Sequence, residues 1–375
     1  MAVRIPTITD LDKEQREVVR FTPYDAPMFV KGPPGSGKTH IAILRLNVLI
    51  SEGYTNILFL LYNHSMYGFL KHVFRKMGLV NTIDIHTKDK YFYDVAKRRG
   101  YNVYGESQFE KYEIKYAQRL SFLERCQTLP KYDLIVIDEC QDFMLSELNL
   151  LNKMTSNIIA VGDNEQSVYR TDGISFFQRL PARELKNIYR YGRQVAAVAQ
   201  YFSVQRVDIL SKVTNTNKSD VYKVITTSRM QALVSVKKIV EAKRTTSMTI
   251  GIFSLTNKQL QELDGDLQRI GVHSFYCKNN NDMRDYDFDQ RVPVLITPFS
   301  AKGMEFDCVI LFGYSQQLLD SVFSNKWKEV IYVSLTRTCS ELYLIQESDT
   351  MRQLSDLQEW KPLSSAESNR QIYDF

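Results

Sequence analysis

Between Gly32 and Thr39 the chain reads GPPGSGKT, so that Gly32, Gly37, Lys38 and Thr39 complete the spacing G-x-x-x-x-G-K-[ST]. Glycines at Gly32, Gly35 and Gly37 let the backbone curl until successive N–H groups converge on the β- and γ-phosphates of a nucleotide. Lys38 is placed to neutralise phosphate charge, and the Thr39 hydroxyl to ligate Mg²⁺. A second stretch, Tyr132 to Phe143 (YDLIVIDECQDF), runs an apolar segment, Leu134 to Ile137, into two adjacent carboxylates, Asp138 and Glu139. Acids at the end of a buried strand need cations or water around them. Beside a phosphate loop the first acid would hold Mg²⁺ and the second would polarise the attacking water.

Other residues could complete such a site. Gln15 lies ahead of the loop on a helix expected from Asp10 to Arg20, and its amide could offer one donor and one acceptor to an adenine edge. Gln166 follows the apolar stretch Asn157 to Gly162, where it could sense a γ-phosphate. Tyr62 and His86 each stand at the end of a short apolar run, Ile57 to Leu61 and Ile83 to Thr87, where open α/β sheets bind ligands. A lone histidine in such a place is as readily structural as functional. The stretch Lys88 to Tyr104 interleaves basic and aromatic residues, as a single-strand binder would, yet reads better as a solvated helix with its rings turned inward. Asn217 to Asp220 (NKSD) has the spacing of a guanine reader but no apolar strand before it, so it reads as a surface loop.

The elements that must hold these residues alternate between short apolar runs and amphipathic segments, the rhythm of parallel α/β sheets. Met28 to Val30 is the strand before the loop, and Ile41 to Ile50 the helix after it. A helix is expected over Phe69 to Lys76 and another over Leu185 to Phe202; Leu180, Pro181 and Ala182 break the pattern between domains. Beyond them, Thr249 to Phe253, Val292 to Thr297, Cys308 to Phe312 and Leu342 to Ile345 read as strands, with a helix from Lys258 to Ile270. Lys278 to Gln290 reads as a polar loop, and the chain from Glu347 onward as a frayed polar tail.

A chain of 375 residues suggests two domains, expected here at 1–182 and 183–350 with a tail at 351–375. The formal net charge of +5 permits a polyanionic partner without requiring one. Five scattered cysteines signal neither a disulfide framework nor a zinc site, and no apolar run is long enough to span a bilayer. A cytoplasmic protein with no membrane partner is the expectation.

Taken in order, Gln15, GPPGSGKT, YNHS from Tyr62, IDIHT from Ile83, IDECQD from Ile137, VGDNEQSVY from Val161, NIYR from Asn187, TPFSAKGMEFD from Thr297 and YVSLTRT from Tyr332 resemble the motif set of UvrD/Rep-like superfamily 1 DNA helicases. The resemblance implies two RecA-like domains with ATP held in the cleft between them. Its ATP and Mg²⁺ site would comprise Gln15, the loop Gly32, Pro33, Pro34, Gly35, Ser36, Gly37, Lys38, Thr39 and His40, the metal ligand Asp138, the base Glu139 and the sensor Gln166. Arg190 and Arg337 would stabilise charge on the transferring phosphoryl group, and Glu305 would contact the ribose. Tyr62, Asn63, His86, Tyr169 and Thr297 would meet single-stranded nucleic acid, with DNA expected.

Departures from the family pattern lie away from the ATP residues. Thr171 and Asp172 precede Gly173 where an aromatic and an arginine are common, which removes a stacking ring worth ~1–3 kcal/mol per base. Phe299 replaces a usual histidine, and only 51 residues separate His86 from Asp138, too few for a large accessory insertion. The resemblance therefore implies ATP hydrolysis more firmly than strand separation. A nucleotide-gated subunit controlling a partner such as a nuclease is the alternative expectation.

Overall fold

The computed structural model describes residues 7–21, 27–106, 109–162, 173–203, 208–214, 219–246, 248–278, 283, 286–290, 292–348 and 350–362. Gln166, Tyr169, Thr171 and Asp172 lie outside the described residues, as do Asn217 and Lys218. The chain divides into two units, with Ile5–Pro33 and Gly37–Lys186 in one and Pro34–Ser36 with Asn187–Phe375 in the other.

In the amino-terminal unit the order is α1 (Lys13–Val19), β1 (Met28–Lys31), α2 (Lys38–Ser51), β2 (Ile57–Leu61), α3 (His64–Lys76), β3 (Ile83–Thr87) and α4 (Lys88–Arg98). There follow α5 (Tyr112–Arg125), β4 (Leu134–Ile137), α6 (Leu145–Met154), β5 (Ile158–Gly162), α7 (Ile174–Phe177) and β6 (Ala182–Glu184). The strands form one sheet in the order β3-β2-β4-β5-β1-β6, all pairs parallel. β2, β4 and β5 are buried along their whole length, which is why they read as continuous apolar runs rather than alternating ones. Residue 182, the expected domain boundary, belongs to β6, and the units part between Lys186 and Asn187.

α4 turns Tyr91 and Phe92 fully into the core, as expected of inward-facing rings, whereas Tyr104 beyond it is exposed, against that expectation. α1 is shorter than the expected segment: Asp12 caps it, accepting from the Gln15 backbone N–H at 2.7 Å, while Gln15 Oε1 accepts from Asp12 N–H at 3.2 Å.

The carboxy-terminal unit contains α8 (Arg193–Gln200), β7 (Asp220–Thr226), α9 (Arg229–Thr245), β8 (Ile250–Phe253), α10 (Asn257–Arg269), β9 (Phe275–Tyr276), β10 (Val294–Ile296) and β11 (Phe306–Phe312). It ends with α11 (Gln316–Phe323), α12 (Trp327–Leu335), β12 (Thr338–Glu347), α13 (Arg352–Ser355) and β13 (Lys361–Pro362). Its sheet has the order β13-β7-β12-β11-β8-β10-β9, again parallel throughout. The protein thus has two parallel sheets flanked by helices, the α/β architecture expected from the sequence.

Two expectations are corrected here. The helix expected from Leu185 starts only at Arg193, because Ile188 instead joins an extended pairing: its N–H donates to Lys212 O at 2.7 Å and its carbonyl accepts from Thr214 N–H at 3.1 Å. The tail is not frayed as far as residue 362: Met351, Leu354 and Trp360 are buried, and β13 pairs with β7. These apolar residues are too widely spaced to form a run that local periodicity would reveal.

Candidate functional site

Because β1 ends at Lys31 and α2 starts at Lys38, the loop between them must reverse direction within six residues. Gly35 and Gly37 make this possible, at φ 83° and 85°, in the left-handed region where a side chain is strained. A Cβ on Gly37 would also lie 3.0 Å from Gln15 Nε2, so Gln15 is packed against the end of the loop while its carbonyl oxygen caps α1. Lys38 Nζ donates to Gly32 O at 2.8 Å and Pro33 O at 3.1 Å, which holds the ammonium over the loop. His40 follows in the first turn of α2.

Thr39 meets the end of β4. Its hydroxyl donates to Asp138 at 3.1 Å (Oδ2) and 3.3 Å (Oδ1). Asp138 is only 3% exposed, and burial, with the neighbouring Glu139 charge, raises its pKa from 3.8 to about 7. Glu139 sits in the left-handed region at φ 51°, a costly conformation for a residue with a side chain, and Gln141 Nε2 holds its Oε2 at 2.6 Å.

These residues fit a Mg²⁺ ion. A carboxylate and a hydroxyl 3.1 Å apart are hard oxygen donors, and a buried carboxylate disfavoured by desolvation gains most from a cation. Mg²⁺ ordinarily keeps several waters and takes one or two protein oxygens, so a small donor set suffices.

In the carboxy-terminal unit, the extended segment around Ile188 directs Arg190 to Glu305, with which it forms an ion pair, and to Thr336 O at 2.8 Å. Arg337 is 1% exposed; its Nε donates to Val333 O at 3.2 Å and its Nη2 to Thr336 Oγ1 at 3.3 Å. Arg190 and Arg337 therefore both bond Thr336, which sequence reasoning did not single out, and Glu305 is held through Arg190. Pro34–Ser36 group with this same unit: Tyr189 N–H donates to Gly35 O at 2.9 Å, and a Cβ on Gly35 would meet Arg190 Cβ at 2.7 Å.

Four of the residues expected to meet nucleic acid, Tyr62, Asn63, His86 and Thr297, are described and have local partners. Asn63 is buried and caps α3 through Ser65 N–H at 3.0 Å. His86 Nε2 lies 2.7 Å from Asp84 Oδ1 and holds that carboxyl below its usual value. Thr297 caps the turn after β10, accepting from Ser300 N–H at 3.3 Å. Tyr62 is partly buried, with Lys88 Nζ 5.2 Å from its ring centroid.

The pairing of Lys88 with Glu147 was not expected from the sequence. Their side chains are 6% and 0% exposed and 2.7 Å apart, with Tyr116 Oη and Met144 N–H donating to the same carboxylate at 2.5 and 2.7 Å. A glutamate inside the apolar periodicity of α6 was the only available sign.

Residues 15–172, which include the phosphate loop and the paired acids, match the family model described as an AAA domain, AAA_19. Over these residues the chain is similar to helicase-family AAA domains. A probable DNA helicase of Mycoplasma pneumoniae (strain ATCC 29342 / M129) is 25% identical over 243 residues, 57% of this chain and 43% of that protein. The match thus spans less than half of that relative's length. Among solved structures, the helicase nonstructural protein 10 of an arterivirus aligns over 91% of this chain and 63% of its own at 14% identity and a TM-score of 0.44. The same helicase in complex with DNA aligns over 92% and 65% at 13% identity and a TM-score of 0.41. These are likenesses of fold alone. No helix among the described residues is long and apolar enough to cross a membrane.

Proposed function

We propose that this helicase-type ATPase hydrolyses ATP with Mg²⁺ in response to single-stranded DNA and moves along it. The observation that carries the reading is the hydrogen bond from Thr39 to the buried Asp138, one pair from the phosphate loop and the acid strand. When bound there, Mg²⁺ would neutralise charge on the β- and γ-phosphates. Loop N–H groups and Lys38 would bind the phosphates, Gln15 would face the base, and Glu139 would take the proton of the attacking water. Arg190 and Arg337 would stabilise the transferring phosphoryl group, Gln166 would sense it, and Glu305, which holds Arg190, would keep that guanidinium in place. Tyr62, Asn63, His86, Tyr169 and Thr297 belong to the strand-binding part of the proposal. We place the protein in the cytoplasm.

ATP turnover with and without single-stranded DNA, at two salt concentrations, tests the reading. Stimulation that fades with salt is expected, because phosphate contacts release counterions. A rate indifferent to DNA would overturn it. A second reading, a nucleotide-gated subunit that controls a partner such as a nuclease, draws on the short span from His86 to Asp138. That reading predicts turnover without displacement of a paired strand.

A further inference from the structure

The amino-terminal unit contains a cavity of about 410 Å³ between α4, α5 and α6 that the proposed ATP chemistry does not use and that shares only Tyr62 with the proposed strand-binding residues. Its volume lies within the ~300–1,000 Å³ of small-ligand pockets. Buried Lys88 and Tyr116 line it together with Tyr62, while Tyr112 and Glu113 on α5 are exposed. Lys88, the one cation among the lining residues, is already neutralised by Glu147 at 2.7 Å, and the rings of Tyr62, Tyr116 and Phe143 lie 5.2, 5.5 and 5.4 Å from its Nζ.

Three further carboxylates, Asp89, Glu113 and Glu124, also line the cavity and leave it negative. Tyr112 stacks on Tyr116 with centroids 5.9 Å apart and remains 49% exposed. Aromatic faces beside carboxylates favour a cation, whereas the same charges oppose a phosphodiester chain. A planar guanidinium suits both features, because it stacks on tyrosine and pairs with a carboxylate through a fork of N–H groups. The surroundings suit a macromolecule: Ile114 on α5 is 48% exposed and Phe109 just before it 99%.

We propose that this pocket receives an arginine side chain from a partner protein. The full-length protein, labelled with ¹³C at its methionine methyls, reports occupancy through Met144, which lines the cavity and is assigned with Met144→Leu. N-acetyl-arginine methylamide should shift the Met144 signal saturably, and its uncharged citrulline counterpart should not. In the double variant Glu113→Gln, Glu124→Gln, whose thermal melt should match wild type, the midpoint should rise roughly five- to tenfold. The proposal is overturned by no shift with the arginine probe, by an equal shift with citrulline, or by an unchanged midpoint in the double variant. A Met144 shift with an oligothymidylate but not with the arginine probe would assign the pocket to a nucleobase instead.

Discussion

Thr39 and Asp138, 99 positions apart in the chain, are joined by a hydroxyl-to-carboxylate hydrogen bond of 3.1 Å. Asp138 is thereby fixed where a cation held by the phosphate loop would need it, and it is left in a site that disfavours its own charge.

That conflict gives a pH dependence. Asp138 has a raised pKa in the folded protein, about 7 against 3.8, so its contribution to stability is full below pH 3.8 and is lost as pH rises through 7. In metal-free protein, Asp138→Asn should therefore gain stability relative to wild type as pH rises, by roughly 2–3 kcal/mol between pH 5 and pH 8. Thermal melts in EDTA at pH 5 and pH 8 check this; a difference independent of pH would contradict it.

Arg190 and Glu305 form a mostly buried ion pair, with 10% and 28% of their side chains exposed. Removing either partner strands the other, so the single variants Arg190→Ala and Glu305→Ala should cost more together than the double variant. A coupling energy of about 1–3 kcal/mol is expected from a urea-unfolding double-mutant cycle. Additive costs would mean that the two side chains do not support one another.

For Lys88 and Glu147 the expected cost is larger, since Glu147 is fully buried and accepts three hydrogen bonds. Lys88→Met should lose ~3–5 kcal/mol by leaving that carboxylate without a countercharge, and adding Glu147→Gln should recover part of it. Equilibrium unfolding in urea measures both, and a Lys88→Met loss below ~1 kcal/mol would refute the account.

How much of this could be read from residues alone depends on the distance over which the information is stored. The phosphate loop could be read because it is a short motif between a buried strand and a helix start, and the acid pair because it closes a buried apolar strand, each with its own signal. The segment Leu185 to Arg193 could not. Its apolar spacing fits a helix, but Ile188 is buried by pairing with Lys212 and Thr214, and that pairing is invisible to local periodicity. β7 and α9 leave little local trace, because β7 alternates burial only weakly and α9 begins on a serine cap amid other polar residues. Partnerships such as Arg190 with Glu305, and Asn63 serving as a cap, required the fold itself.

The central claim, that these residues form an engine for ATP hydrolysis driven by single strands, is tested most directly by comparing wild type with Glu139→Gln. Phosphate release should require Mg²⁺ and rise with single-stranded DNA in wild type. In the variant, nucleotide binding should persist while turnover falls by about 100-fold or more. A variant that hydrolyses ATP at the wild-type rate, or a wild-type protein that releases no phosphate with Mg²⁺ and DNA present, would contradict the account.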